Sequence, residues 1–176
     1  MINNFSQDID FAAYSINTPF LSLKGIITKA RVVSVYDGDT LTLIIPFKNE
    51  FFKFNCRMMG IDTCEMKSKL QQNRETAIKA RNRVLQLLGV PVADLNVKLT
   101  TQKIQSLLAE NIYTCWVKCY ETEKFGRTLV DVCTSNDMQR TVAQTLVNEK
   151  LAYEYKGDTK LTEEQQVELQ WIDCST

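Results

Sequence analysis

No histidine occurs among the 176 residues of the chain. That absence removes every mechanism in which imidazole acts as base, nucleophile or metal ligand. Ser-His-Asp hydrolysis, H-E-x-x-H zinc sites and histidine-based nucleases are all excluded. Any catalysis must come from carboxylates, arginines, tyrosines, cysteines or a hard metal ion. An excess of one charge is missing too, since 21 Lys and Arg balance 21 Asp and Glu. A non-specific nucleic-acid coat protein is usually strongly basic, so a nucleic-acid binder of this composition must gather its positive charge locally. No stretch approaches the ~18 consecutive apolar residues of a membrane span. Met1 to Phe20 lacks a basic start followed by an apolar run, the pattern of a secretory signal. The expectation is a cytoplasmic or otherwise intracellular protein with no membrane partner.

C-x-x-C is absent as well, although six cysteines stand at positions 56, 64, 115, 119, 133 and 174. Without an export signal they read as reduced, mostly buried thiols rather than a disulfide frame. Cys115 and Cys119, four apart in a strand-like stretch, leave a zinc site as the alternative. What the chain does contain is 44% hydrophobic and 24% charged residues, ordinary for a globular protein with a core. One compact domain suits this length. A basic cluster is visible at Lys67, Lys69, Arg74, Lys79, Arg81 and Arg83. It reads either as a solvated helix face or as a local phosphate-binding surface.

Residues 1–23 show no clear period and read as an N-terminal extension to a domain spanning 24–176. Ile26 to Tyr36 is rich in β-branched residues, and Thr40 to Ile45 alternates with period two. Asp37-Gly38 between them is a short hairpin signal. Phe51 to Met59 is a third strand, broken at Gly60. Helical spacing of Ala77, Ala80, Val84, Leu87 and Leu88 predicts a helix over Glu75 to Leu88, stopped by Gly89 and Pro91. Leu95 to Leu99 is expected as a short strand and Gln102 to Ala109 as a short helix. Ile112 to Tyr120 and Thr128 to Cys133 read as strands. Met138 to Lys150 reads as a helix with Asn136 as N-cap. A last helix is expected from Thr162, where T-x-x-Q forms a capping box. The pattern predicts a mixed α+β, mainly β, five-stranded Greek-key barrel of the OB type, with about three helices packed on it.

Three segments concentrate reactive residues: Asp37-Gly38-Asp39-Thr40, Arg57 to Glu65, and Lys124-Phe125-Gly126-Arg127. Each taken singly also reads as a turn or a charged strand end. Strand alternation points Arg57, Met59 and Ile61 one way and Asp62 the other. A break at Gly60 would reset this parity and bring Arg57 to Asp62, with Glu65 free to reach back. Chemically, two carboxylates and a carbonyl suit calcium, which takes six to eight oxygen ligands. A third carboxylate can accept a proton from an attacking water, and arginine forks stabilise charge growing on phosphoryl oxygens.

The segments VYDGDT, RMMGIDTCE and KFGR, in that order, resemble the motifs of the staphylococcal nuclease (thermonuclease) family, over about Ala30 to Lys156. LAYEYK resembles that family's nucleotide-pocket segment. The resemblance implies a Ca²⁺ site from Asp39, Asp62 and the Thr63 carbonyl. It implies Glu65 as general base, with Arg57 and Arg127 on the scissile phosphate. Lys124 and Phe125 are implied at a terminal phosphate and nucleotide, and Tyr153 and Tyr155 along the base pocket. The implied activity is calcium-dependent hydrolysis of single-stranded or frayed DNA and RNA at the bond to the 5′ oxygen, leaving 3′-phosphate ends. Cys64 departs from the family's usual proline and Phe125 from a frequent tyrosine, and residues 90–111 look like an insertion. The alternatives are a family module that binds nucleic acid or protein without cutting, and a structural OB domain whose charged turns are coincidental.

Overall fold

The computed structural model describes residues 11–171; Cys174 and residues 1–10 lie outside the described residues. Its elements run β1 (Ile27–Val35), β2 (Thr40–Phe47), β3 (Glu50–Met58), β4 (Ile61–Asp62), α1 (Gln71–Leu87) and α2 (Thr101–Glu110). Then follow β5 (Thr114–Thr122), β6 (Thr128–Cys133), α3 (Val142–Asn148), β7 (Tyr153–Glu154) and α4 (Glu163–Trp171). Antiparallel pairing joins β1 to β2, β2 to β3, β1 to β5 and β5 to β6, and a parallel β3–β6 pairing closes the barrel. The expected five-stranded Greek-key barrel of OB type is therefore present. Among the described residues four helices accompany it, where about three were expected.

Period-two alternation explains the barrel. In β2 it turns Leu41, Leu43 and Ile45 inward, each essentially without solvent contact, and in β5 it turns Cys115, Val117 and Cys119 inward. Each fully buried Leu or Ile contributes about 1.5–3 kcal/mol, so strand register and core filling reinforce each other. The five cysteines among the described residues are all buried. Burial pushes the thiols of Cys56 and Cys115 up to about 12 and that of Cys119 to about 11, which leaves them neutral core groups.

On α1 the Ala77, Ala80 and Val84 stripe is wholly buried. The basic cluster does not form one face. Arg81 is buried and donates to the Leu99 carbonyl at 2.9 Å, and Arg83 forks onto Glu149. Arg74 closes back on the Ser68 and Lys69 carbonyls. The strand expected at Leu95–Leu99 is absent. Asn82 donates to the carbonyls of Leu95 and Val97, both at 2.8 Å, and Arg81 takes that of Leu99, so these acceptors serve α1 instead of a ladder. The following α2 packs Ile104 and Leu108 into the core beside β1.

Helix α3 starts later than Asn136 suggests. Thr141 is its N-cap, and Thr141 and Gln144 form a reciprocal capping box. Asp137 instead caps a tight turn, accepting from the Gln139 amide, and Met138 takes a left-handed φ of 54°. A T-x-x-Q pattern marks this start, as it does at Thr162–Gln165, where both halves of the box form at 2.9 and 3.3 Å. No described helix is long and apolar enough to cross a membrane.

Candidate functional site

The β1–β2 turn is built by its own side chain. Asp37 Oδ1 accepts the amides of Asp39 (3.1 Å) and Thr40 (2.7 Å), and Tyr36 donates back to the Thr40 carbonyl. Gly38 serves space rather than φ. A Cβ there would stand 2.7 Å from Thr63 Cγ2 and 2.8 Å from Ala80 Cβ. Gly38→Ala is therefore expected to cost about 1–3 kcal/mol in urea unfolding, because it drives the turn away from both α1 and the Thr63 loop. A neutral substitution would mean that this contact does not set the turn.

At the end of β3, Gly60 adopts φ of 80° and turns the chain into β4. The turn puts Arg57 and Asp62 on one site. Arg57 Nη1 lies 2.8 Å from Asp39 Oδ2, and its Nη2 lies 2.5 Å from Asp62 Oδ1 and 3.2 Å from the Ile61 carbonyl. One buried guanidinium thus spans two buried aspartates. The two-residue sheet β4–β7 sets Tyr153 opposite Asp62, and the Tyr153 hydroxyl donates to Asp62 Oδ2 at 2.5 Å. Arg127, at the foot of the β5–β6 hairpin, pairs with Glu123 and donates to Thr40 Oγ1 at 3.1 Å. Thr40 passes the link to Asp39 Oδ1 at 2.8 Å.

The result is a polar cleft of about 190 Å³ lined by Tyr36, Asp37, Asp39, Thr40, Arg57, Thr63, Glu65, Arg127 and Lys160. The two aspartates titrate in opposite directions. Burial first, and then the neighbouring Asp37, push the Asp39 carboxyl up to about 7 against the pull of Arg57. Burial also works to raise Asp62, but bonds from Lys160, Tyr153 and Arg57 outweigh it and hold that carboxyl low. Burial opposes the Arg57 charge, and Asp39 and Asp62 outweigh it to hold the guanidinium above its ordinary value.

The geometry gathers Asp39, Arg57, Thr63, Glu65 and Arg127 on one cleft, with Asp62 directly behind Arg57. Lys124 and Phe125 do not line it. They form the tip of the β5–β6 hairpin, where Phe125 is 73% exposed and Lys124 Nζ stands 5.1 Å from its ring centroid. Tyr155 lies beside the site, its ring centroid 6.0 Å from Arg57 Cζ. It also lines a neighbouring groove of about 320 Å³ with Tyr153, Asp158 and Leu161. Tyr153 spends its hydroxyl on Asp62, so its place is as a support of the carboxylate as much as a groove wall.

Asp37, Thr40, Glu123 and Lys160 complete the network, and the motif resemblance implies a role for none of them. Asp37 and Thr40 lie inside the VYDGDT motif, where an Asx-turn signal was available. Lys160 Nζ reaches Asp62 Oδ1 at 2.8 Å and Glu65 Oε1 at 3.6 Å from far along the chain, where no local pattern announces it.

The donor chemistry fits a hard divalent cation. Carboxylates and a backbone carbonyl are the oxygens calcium takes, and Asp37, Asp39, Thr63 and Glu65 all line the cleft. Among the described residues no group of three or more Cys, Asp or Glu side chains is gathered to hold a metal. Asp39 and Thr63 line the cleft, whereas Asp62 stands outside its lining with both oxygens bonded within the chain. Compared with protein-family models and with curated proteins, the chain matches none.

Proposed function

We propose that the chain is a metal-dependent phosphodiesterase that cuts single-stranded or frayed DNA and RNA with little sequence specificity, leaving 3′-phosphate ends. The observation that carries this reading is the joint placement of Arg57, Arg127, Asp39 and Glu65 on one cleft. Arginine forks stabilise charge growing on phosphoryl oxygens, and a carboxylate beside them can take a proton from an attacking water. The motifs that supply these residues are those resembling the staphylococcal nuclease family.

On this reading Asp39, Asp62 and the Thr63 carbonyl hold Ca²⁺, whose charge offsets that of the phosphoryl oxygens. Glu65 is the general base. It is 62% exposed at its side chain, so it can meet water and substrate together. Arg57 and Arg127 approach the phosphate from β3 and from the β5–β6 hairpin. Phe125 offers an exposed ring and Tyr155 a groove-lining one, and base stacking of about 1–3 kcal/mol tolerates any sequence.

One observation favours a second reading, a module that binds nucleic acid or protein and cuts weakly or not at all. Every carboxylate oxygen of Asp39 and Asp62 already has a partner within the chain. The two readings separate in one assay. Single-stranded DNA and RNA are incubated with Ca²⁺, with Mg²⁺ and with chelator, beside Glu65→Gln. The enzyme reading expects calcium-dependent cutting to 3′-phosphate ends, lowered by about 10²–10⁴ in Glu65→Gln. Retained nucleic-acid binding with no cutting under any metal would establish the module instead.

A further inference from the structure

Lys160 belongs to none of the three motifs, yet it closes the carboxylate network. It lies between β7 and α4, with Nζ 2.8 Å from Asp62 Oδ1 and 3.6 Å from Glu65 Oε1. The other partners of the two aspartates sit in or beside packed strands. Arg57 is buried in β3, Thr40 opens β2, and Tyr153 is paired in β7. Lys160 differs from all three, because its flexible side chain is 45% exposed. It is the partner that can leave.

Its position is nonetheless built. The Leu161 carbonyl accepts from Gln166 at 3.2 Å, and the Thr162–Gln165 box starts α4 immediately after it. Asn73, fully buried on α1, donates to the Glu163 carbonyl at 2.8 Å and so ties that helix start to the domain. The backbone that carries Lys160 is therefore anchored, while its side chain reaches the carboxylates from the half-exposed side. An ammonium is a compact, strongly hydrated point charge, and it satisfies carboxylate oxygens much as a hard metal ion does.

We propose that Lys160 is a built-in counter-ion of the Asp62–Glu65 end of the cleft, which a divalent cation must displace in order to bind. The inference rests on the reading of Asp39 and Asp62 as metal ligands. Its consequence is regulatory: the ammonium holds the aspartate satisfied when metal is scarce, sets a threshold concentration for loading, and is released towards the substrate side when the metal enters.

The test is calorimetric titration of the full chain with CaCl₂ alone, without nucleic acid, comparing the parent with Lys160→Met, Lys160→Gln and Lys160→Arg. Far-UV circular dichroism checks folding, and the half-exposed position makes all three variants compatible with the fold. Both neutral variants are expected to bind Ca²⁺ about tenfold more tightly, the effect of removing one close competing charge, and Lys160→Arg to stay near the parent. Unchanged or weaker binding in the neutral variants overturns the proposal, as does the absence of binding in parent and variants alike. Tighter binding without any nucleic-acid cutting would sink the phosphodiesterase reading and leave this one standing. Calcium-dependent cutting with unchanged affinity in the neutral variants would do the reverse.

Discussion

Replacing Arg57 by alanine is expected to damage the protein twice, once in stability and once in turnover. The side chain bridges Asp39 and Asp62, at 2.8 and 2.5 Å, and both carboxylates are buried. Removing one partner of a buried pair leaves charge without compensation, at a cost of about 3 kcal/mol or more. For a chain of this length about 2–4 °C accompanies each kcal/mol, so melting should fall by about 6–12 °C. Asp39 can relieve part of the loss by taking a proton, since its carboxyl is already pushed up to about 7. Differential scanning calorimetry in chelator reads this effect without reference to activity. On the proposed phosphodiesterase reading, turnover should also fall by about 10²–10³ or more, because the fork supports charge that grows in the transition state. Arg57→Lys should recover some stability but little turnover, since one ammonium cannot span two aspartates and a phosphate. Near-normal turnover in Arg57→Lys would remove Arg57 from the chemistry.

Arg127→Ala separates the two effects. This side chain is partly exposed, pairs with Glu123 four residues before it, and donates to Thr40. Such a pair is worth about 0–1 kcal/mol, so unfolding in urea should hardly change. Turnover should nevertheless fall by about 10²–10³ if the arginine meets the phosphate. A variant that is stable and inactive, beside one that is destabilised and inactive, would assign the two arginines different structural duties and a shared chemical one. Full activity in Arg127→Ala, measured on single-stranded DNA with saturating Ca²⁺, would show that the hairpin arginine only props the Thr40 turn. Because the two arginines share one network through Asp39, the double variant should lose less than the product of the single losses.

The difference between the two arginines could not be read from the motifs, which present both as cations near a glycine. It depends on depth. Arg57 is buried near the end of β3, and Arg127 stands partly exposed on the β5–β6 hairpin. The same limit explains the basic cluster on α1. Spacing along the chain placed Arg81 among exposed lysines, but the segment before α2 folds across it and draws its guanidinium to the Leu99 carbonyl. Leu95 to Leu99 looked like a strand for the converse reason. Its apolar pattern is real, while its backbone acceptors are claimed by Asn82 and Arg81, side chains that a local pattern does not weigh.

The sequence by itself determined the barrel strands, the α1 stripe, the break at Gly60 and the approach of Arg57 to Asp62 across it. These are short-range matters. Side-chain alternation, turn chemistry and helix periodicity act over a few residues and survive translation into three dimensions. Only the tertiary structure decided which oxygens are already spoken for. The Tyr153 bond to Asp62 requires a β4–β7 ladder two residues long, too short to leave a period. The Lys160 contact requires α4 to be docked on α1 through Asn73. Both join residues far apart in sequence, and their energy comes from burial and charge in the assembled domain rather than from any local preference.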